Sequence, residues 1–254
     1  MALTALKALL WDVDGTLAET ERDGHRVAFN RAFEALQLPW RWSERRYGEL
    51  LQVAGGYERL LHDLGQQRRA PADPAARAAL AAQIHRLKNV CYAEQLAGAG
   101  LPLRAGVAAL FADCAAAGLR MGIATTTSRA NVAALLRGPL GGGWESRFAA
   151  VVCAEEAPRK KPDPQVYELA LAALQLRPGE ALAVEDSPAG AAAARAAGVP
   201  VVVTRSHYFN ATAVAGMRAA GPSLGSVAGW EPAAAVTSGR VDLRQLVRWH
   251  GGRS

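Results

Sequence analysis

Two aspartates, Asp12 and Asp14, stand one residue apart where an apolar run ends, in Leu9-Leu10-Trp11-Asp12-Val13-Asp14-Gly15-Thr16. A second acidic pair, Glu185-Asp186, closes the apolar run that starts at Ala181. Between them in the chain lie a hydroxyl cluster, Thr125-Thr126-Thr127-Ser128, and a basic stretch, Arg159-Lys160-Lys161-Pro162. Carboxylates gathered at a buried edge repel one another and cost desolvation unless a cation is shared among them. Hard oxygen donors select Mg²⁺, which usually keeps water and a substrate phosphate among its ligands. Such an ion lets an anionic ester approach an anionic carboxylate, a competent nucleophile that forms an acyl phosphate. A second acid nearby can protonate the departing alkoxide and later activate water. Lys161, Thr125 and the adjoining Thr126 would neutralise and orient the remaining phosphate oxygens. Gly15 permits a tight turn that folds Asp14 back toward Asp12. One carboxylate attacks and the other carries the proton.

Each feature also has a plainer reading. Asp12 and Asp14 alone could form an N-cap or a calcium-like loop. Thr125 could cap the following helix, with or without binding phosphate there. Lys161 before a proline could be a solvated loop lysine, and Asp186 could supply a metal contact without Glu185. The functional reading therefore depends on whether the fold brings these segments together.

The elements needed to do so are legible. Strands are predicted over 3–11, 119–124, 149–153, 181–185 and 200–204. Helices over 106–117, 129–137, 164–175 and 188–197 alternate with the later strands. Short continuous apolar strands between helices imply a parallel sheet covered on both faces. In a doubly wound sheet, ligands bind outside the carboxyl ends of the strands, and every polar cluster above follows a strand. Residues 20–97 read instead as helix and turn. They include "SERRYGELLQ" with Ser43 as N-cap, "YERLLHDLG", and a long helix over 75–97 that starts near Pro71 and Pro74. The glycines and proline of 97–106 read as a hinge. The expected fold is thus α/β: a Rossmann-like doubly wound parallel sheet core (1–17 and 103–254) with an inserted α-helical cap domain (18–102). Residues beyond 206 are not placed by pattern.

The 254 residues are half hydrophobic, and the mean hydropathy is near zero. No apolar run reaches the roughly 18 residues of a membrane helix, and no secretory leader is evident. Cys91, Cys114 and Cys153 are odd in number and widely spaced, as expected for core thiols in a reducing cytoplasm. The net charge is +6, but the arginines are scattered among acids and alanines with no aromatic-interleaved basic stripe. A solvated surface is expected, with no nucleic-acid or membrane partner. The expected partner is a small-molecule sugar phosphate, and the expected state a monomer or weak homo-oligomer. In the cap, Glu19 and Glu21 follow the crossover, where the plain alternative is an acidic first helical turn. Gly56 and Arg59 lie in Gly55-Gly56-Tyr57-Glu58-Arg59. Arg59 suits bidentate phosphate recognition, against the alternative of an exposed helix arginine.

Asp12-Val13-Asp14-Gly15-Thr16-Leu17, Thr125, Lys161-Pro162 and Glu185-Asp186-Ser187 match, in order, the four motifs of the haloacid dehalogenase superfamily. The inserted helical segment resembles its β-phosphoglucomutase-like subgroup. "VAGGYERL", "GLPLRAGV", "IATTTSRAN", "KKPDPQVY" and "VEDSPAG" look like the CbbY-type phosphatases, which hydrolyse the Rubisco inhibitor xylulose 1,5-bisphosphate to xylulose 5-phosphate. The resemblance implies that Asp12 is the nucleophile and Asp14 the general acid/base. It implies that Asp12, the Asp14 carbonyl and Asp186, with Glu185 helping, hold Mg²⁺, and that Thr125 and Lys161 bind the phosphoryl group. Glu19, Gly56 and Arg59 would contact the rest of the substrate. Tyr57 departs from the lysine common at its position. A sugar phosphomutase would share every core residue. A non-catalytic sugar-phosphate binder would have little need for both Asp12 and Asp14.

Overall fold

The computed structural model describes residues 5–235 and 239–252. Its chain divides into two compact units, Met1–Glu19 with Pro102–Ser254, and Thr20–Leu101. The second unit is shorter at both ends than the expected 18–102, by two residues at its start and by one, Pro102, at its end. Ala18 bridges Asp14 and Glu19 pairs with Arg104, so the chain stays with the first unit through Glu19. Glu19, expected in the cap, therefore belongs to the sheet-bearing unit.

In the first unit, β1 is Ala8–Trp11, all four residues buried. The strand is shorter than expected at its start: Lys7 turns its ammonium outward to Glu180, and residues 3 and 4 lie outside the described residues. In the second unit, α1 (Arg26–Ala35) follows a π-helical turn over Thr20–His25. Three more helices come after it: α2 (Glu44–Leu50), α3 (Gly56–Leu64) and α4 (Pro74–Gly98). Ser43 caps α2 by accepting from the Arg46 N–H, and Asp73 caps α4, whose first residue is Pro74. Trp42 packs against Phe29 and Phe33 and donates its indole N–H to Asp63 at 2.7 Å, so the tryptophan is core with its polar edge satisfied.

Back in the first unit come α5 (Val107–Ala116), β2 (Arg120–Ala124), α6 (Arg129–Leu140), β3 (Ala150–Val152), α7 (Gln165–Leu174), β4 (Ala181–Glu185), α8 (Pro188–Ala196) and β5 (Val201–Thr204). Among the described residues, the segment left unplaced by pattern holds a short 3-10 turn (His207–Phe209), β6 (Ala219–Gly221) and α9 (Leu243–His250). β6 has only three small residues, too few to show a period. α9 docks by stacking Trp249 on Trp230, with ring centroids 4.7 Å apart.

The sheet has the order β3-β2-β1-β4-β5-β6, and each named pair is parallel. In register, Trp11 lies between Ile123 and Val184. Alternate residues of β1 serve opposite faces, as the strand period requires. Ala8 and Leu10 join the cluster that includes Val166, Leu171 and Ala194 of α7 and α8. On the other face Trp11 meets Phe111 of α5 edge-on at 5.0 Å. Both faces of β1 are therefore apolar, and the first place it can carry a functional side chain is past its carboxyl end. Among the described residues, no helix is long and apolar enough to cross a membrane.

Candidate active site

The ends of β1, β2 and β4 lie side by side. Asp12 extends the ladder by donating its N–H to Val184 O at 3.1 Å, and the residue is only 7 % exposed. Lys161, reaching in from the segment after β3, spends its three N–H donors on Asp12 Oδ1 (2.7 Å), Glu185 Oε1 (2.6 Å) and Ala124 O (2.9 Å). It is not a solvated loop lysine. Tyr167 of α7 donates its hydroxyl to Glu185 Oε1 at 2.5 Å, and its ring lies 5.2 Å from the ammonium. Asp186 accepts from the Ser206 hydroxyl at 2.6 Å, and Asp12 Oδ2 accepts from Thr16 at 3.0 Å.

Two glycines make room for this packing. Gly15 has φ +82°, and a Cβ there would fall 2.1 Å from Asp186 Oδ2. The glycine of the Asp14 turn thus serves both the turn itself and the close approach of a carboxylate. Gly190, on the first turn of α8, leaves the space that Glu185 occupies; a Cβ would lie 2.0 Å from its Oε2.

The electrostatics point to a cation. Burial, then Glu185, raises Asp12 from 3.8 to about 7, although Lys161 pulls the other way. Burial and the neighbouring Asp12 and Glu185 push Asp186 well above the usual carboxylate range. Burial opposes the charged form of Lys161, but Asp12 and Glu185 outweigh it and hold the ammonium above its ordinary value. Three buried carboxylates against one ammonium leave a net charge of two negatives when all are ionised. Oxygens of Asp12, Glu185 and Asp186 lie within 4.8 Å of one another. The donor set is all hard oxygen, and the excess charge matches a divalent ion, so these residues fit Mg²⁺. A second acidic group, Cys153 with Glu155 and Glu156, fits less well. Arg129 occupies both glutamates, and burial lifts the Cys153 thiol to about 12, which keeps it protonated.

Thr125 is buried at the end of β2, next to the Ala124 carbonyl that Lys161 grips, and Thr126 is half-buried beside it. Thr125 does not cap α6. Ser128 does, accepting from the Asn131 N–H, while Thr125 Oγ1 accepts from the Thr127 N–H at 3.3 Å. Asp14 is partly buried one turn beyond Asp12, close enough for its charge to add to the Asp12 shift. Glu19 departs from its expected place: one oxygen faces Arg104 Nε at 3.2 Å, and the other accepts from the His207 N–H at 3.2 Å.

Gly56 and Arg59 lie on α3 of the second unit. Arg59 is buried rather than exposed. Its guanidinium donates to the Tyr47 hydroxyl at 2.9 Å and to Leu50 O at 3.2 Å, and lies 3.8 Å from Glu21. Tyr47 in turn donates to Glu21 at 2.5 Å. Pattern reading missed Thr16, Tyr167, Ser206 and Arg104 as supporting groups. The first two lie inside recognised motifs, and Arg104 lies in the hinge. Ser206 sits where the sequence loses its periodicity.

A carboxylate-bearing strand end flanked by a lysine and an acidic pair, on a sheet of this order, defines the α/β core of a hydrolase of the phosphatase type. The chain belongs to the haloacid dehalogenase-like hydrolases, whose family profile matches residues 6–198. Among its relatives, the CbbY protein of Cupriavidus necator is 43 % identical over 97 % of this chain and 98 % of its own length. The CbbY protein of Rhodobacter capsulatus is 45 % identical over 80 % of this chain and 87 % of its own. The crystal structure of CbbY from Rhodobacter sphaeroides in complex with xylulose-(1,5)bisphosphate is 36 % identical, with a TM-score of 0.82, covering 95 % of this chain and 99 % of that one. The chain is an enzyme of the phosphatase type.

Proposed function

We propose that this chain is a Mg²⁺-dependent sugar-phosphate phosphatase working through an aspartyl phosphate on Asp12, with xylulose 1,5-bisphosphate as its substrate. The observation that carries the reading is the buried cluster of three carboxylates around one lysine at the end of the central strand. The substrate is supported by the likeness, across nearly the whole chain, to a structure in complex with that bisphosphate.

Asp12, Asp186 and the Asp14 carbonyl would hold the ion, which when bound supplies positive charge to the phosphoryl oxygens and the nucleophile. Glu185 is best read as the anchor of Lys161, since its Oε1 already accepts from that ammonium and from Tyr167. Lys161 and Thr125 would bind and orient the phosphoryl group. In the first step an Asp12 carboxylate oxygen bonds to phosphorus, the ester P–O bond breaks, and Asp14 gives its proton to the leaving alkoxide. In the second, Asp14 takes a proton from water as that water attacks phosphorus, the bond to Asp12 breaks, and phosphate leaves. We assign recognition of the sugar and its distal phosphate to the helical unit, with Arg59, Glu21 and Gly56 as determinants. The enzyme would act on a diffusible metabolite in the cytoplasm, as a monomer or weak homo-oligomer.

The test is phosphate release from xylulose 1,5-bisphosphate, with Mg²⁺ and with EDTA, by the wild type and Asp12→Asn. One phosphate per bisphosphate, dependent on Mg²⁺ and abolished in Asp12→Asn, is expected. Normal turnover in Asp12→Asn defeats the mechanism, and an isomerised sugar phosphate without free phosphate makes the enzyme a mutase.

A further inference from the structure

Arg104 follows closely after the chain re-enters the sheet-bearing unit at Pro102. Its side chain is 11 % exposed, four of its five N–H donors are hydrogen-bonded to main-chain carbonyls, and the fifth faces a carboxylate. Nη1 donates to Gly15 O at 2.5 Å and Thr204 O at 2.9 Å. Nη2 donates to Arg205 O at 2.6 Å and Pro222 O at 3.1 Å. Nε faces Glu19 at 3.2 Å. One guanidinium thus ties together the turn after Asp14, the end of β5, the loop after β6 and the last residue of the unit's first segment.

A buried charge is a poor device for stability alone, since an apolar side chain of similar size often does as well. What a guanidinium adds is a rigid planar fork that fixes several acceptors at once, which an ammonium cannot reproduce. The acceptors here are informative. Gly15 sits between Asp14 and Thr16, and Thr16 holds Asp12. Thr204 and Arg205 lead directly to Ser206, which holds Asp186. The Gly15 backbone packs so tightly on Asp186 that no Cβ fits between them. Each of the two loops that orient the reactive aspartates is therefore clamped through its main chain by the same residue.

We propose that Arg104 is a positioning residue that sets the Asp14–Gly15 turn so that Asp14 can deliver its proton to the leaving group. The inference rests on the reading of Asp14 as general acid. A leaving group that is itself a good acid needs little protonation as it departs, whereas a poor one depends on it. Misplacing Asp14 therefore penalises poor leaving groups most, a selectivity that a merely loosened fold does not produce.

The experiment measures kcat/KM of the full chain with Mg²⁺ over a series of substituted phenyl phosphates, from para-nitrophenyl to unsubstituted phenyl. It compares wild type, Arg104→Met, Arg104→Lys, Glu19→Gln and Asp14→Asn. We expect Arg104→Met to lose about tenfold on para-nitrophenyl phosphate and about a hundredfold on phenyl phosphate, within the range of general acid catalysis. Arg104→Lys should lose in the same pattern, because charge without the fork does not restore it. Where Arg104→Met does not fold, Arg104→Lys and Glu19→Gln carry the test. A loss of equal size across the series in the folded variants overturns the proposal, and so does no loss. If Asp14→Asn steepens the dependence on leaving group but the Arg104 and Glu19 variants do not, only the Arg104 inference fails. If Asp14→Asn leaves the dependence unchanged, the general-acid reading fails and takes this inference with it.

Discussion

Replacing Lys161 by methionine removes the only ammonium among the described residues that bridges Asp12 and Glu185, at 2.7 and 2.6 Å. The packing volume is nearly kept, so the cost is electrostatic. Breaking a buried ion pair by deleting one partner costs about 3–5 kcal/mol, because the other charge is left uncompensated. For a chain of this size each kcal/mol moves Tm by about 2–4 °C, which gives a fall of about 6–20 °C. The fall should depend on pH. At pH 8 in EDTA the orphaned carboxylates must either stay charged and repel or take up protons from a solution that holds few, and the full deficit appears. Near pH 5 they take up protons in the folded state, the repulsion is discharged, and the deficit shrinks. Thermal unfolding followed by circular dichroism at both pH values, with EDTA present, measures it. Equal deficits at the two pH values, or a wild-type Tm at pH 8, would refute the reasoning. The Lys161→Met/Glu185→Gln double variant should recover part of the loss by removing one of the stranded charges.

The same electrostatics set the response of the metal-free wild type. Because the folded-state value of Asp12 lies above 3.8, its contribution to stability is present below pH 3.8 and is lost as pH rises through about 7; Asp186 acts in the same direction. Mg²⁺ at about a hundred times its Kd should add about 2.7 kcal/mol at pH 8, raising Tm by about 5–11 °C, and should add less at pH 5, where protons compete. A larger Tm rise at pH 5 contradicts this. Tyr167→Phe deletes one donor to a charged carboxylate and should cost about 1.5–3 kcal/mol, with a severalfold fall in kcat as the Glu185–Lys161 anchor loosens. An unchanged Tm would show that the hydroxyl is dispensable.

The strands carrying the site were readable because β1, β2, β4 and β5 are short continuous apolar runs bounded by polar residues, the signature of strands buried on both faces. That Asp12, Lys161, Glu185 and Asp186 converge followed from where each sits relative to a strand end. The rest was hidden for physical reasons. Ser206 and Arg104 act on the site through contacts between segments distant in sequence, which no local period encodes. Glu19 is an acid near a predicted helix start, and only its contacts with Arg104 and the His207 N–H show that its carboxylate belongs to the sheet-bearing unit. Arg59 shows the limit of pattern in the other direction. Its type and place after Gly55-Gly56 suit phosphate recognition, with an exposed helix arginine as the alternative, but neither pattern reveals that the Tyr47 hydroxyl and the Leu50 carbonyl hold it inside.

The strand order has a consequence for how the enzyme comes to life. Lys161 and Asp12 are 149 residues apart in sequence, and they meet because β1 is inserted between β2 and β4. Parallel pairings of that span must all be closed before the lysine can find its carboxylates, and closing long loops is slow. Catalytic competence is thus a late arrival on the folding route, so regained turnover reports completion of the sheet whereas regained helicity does not.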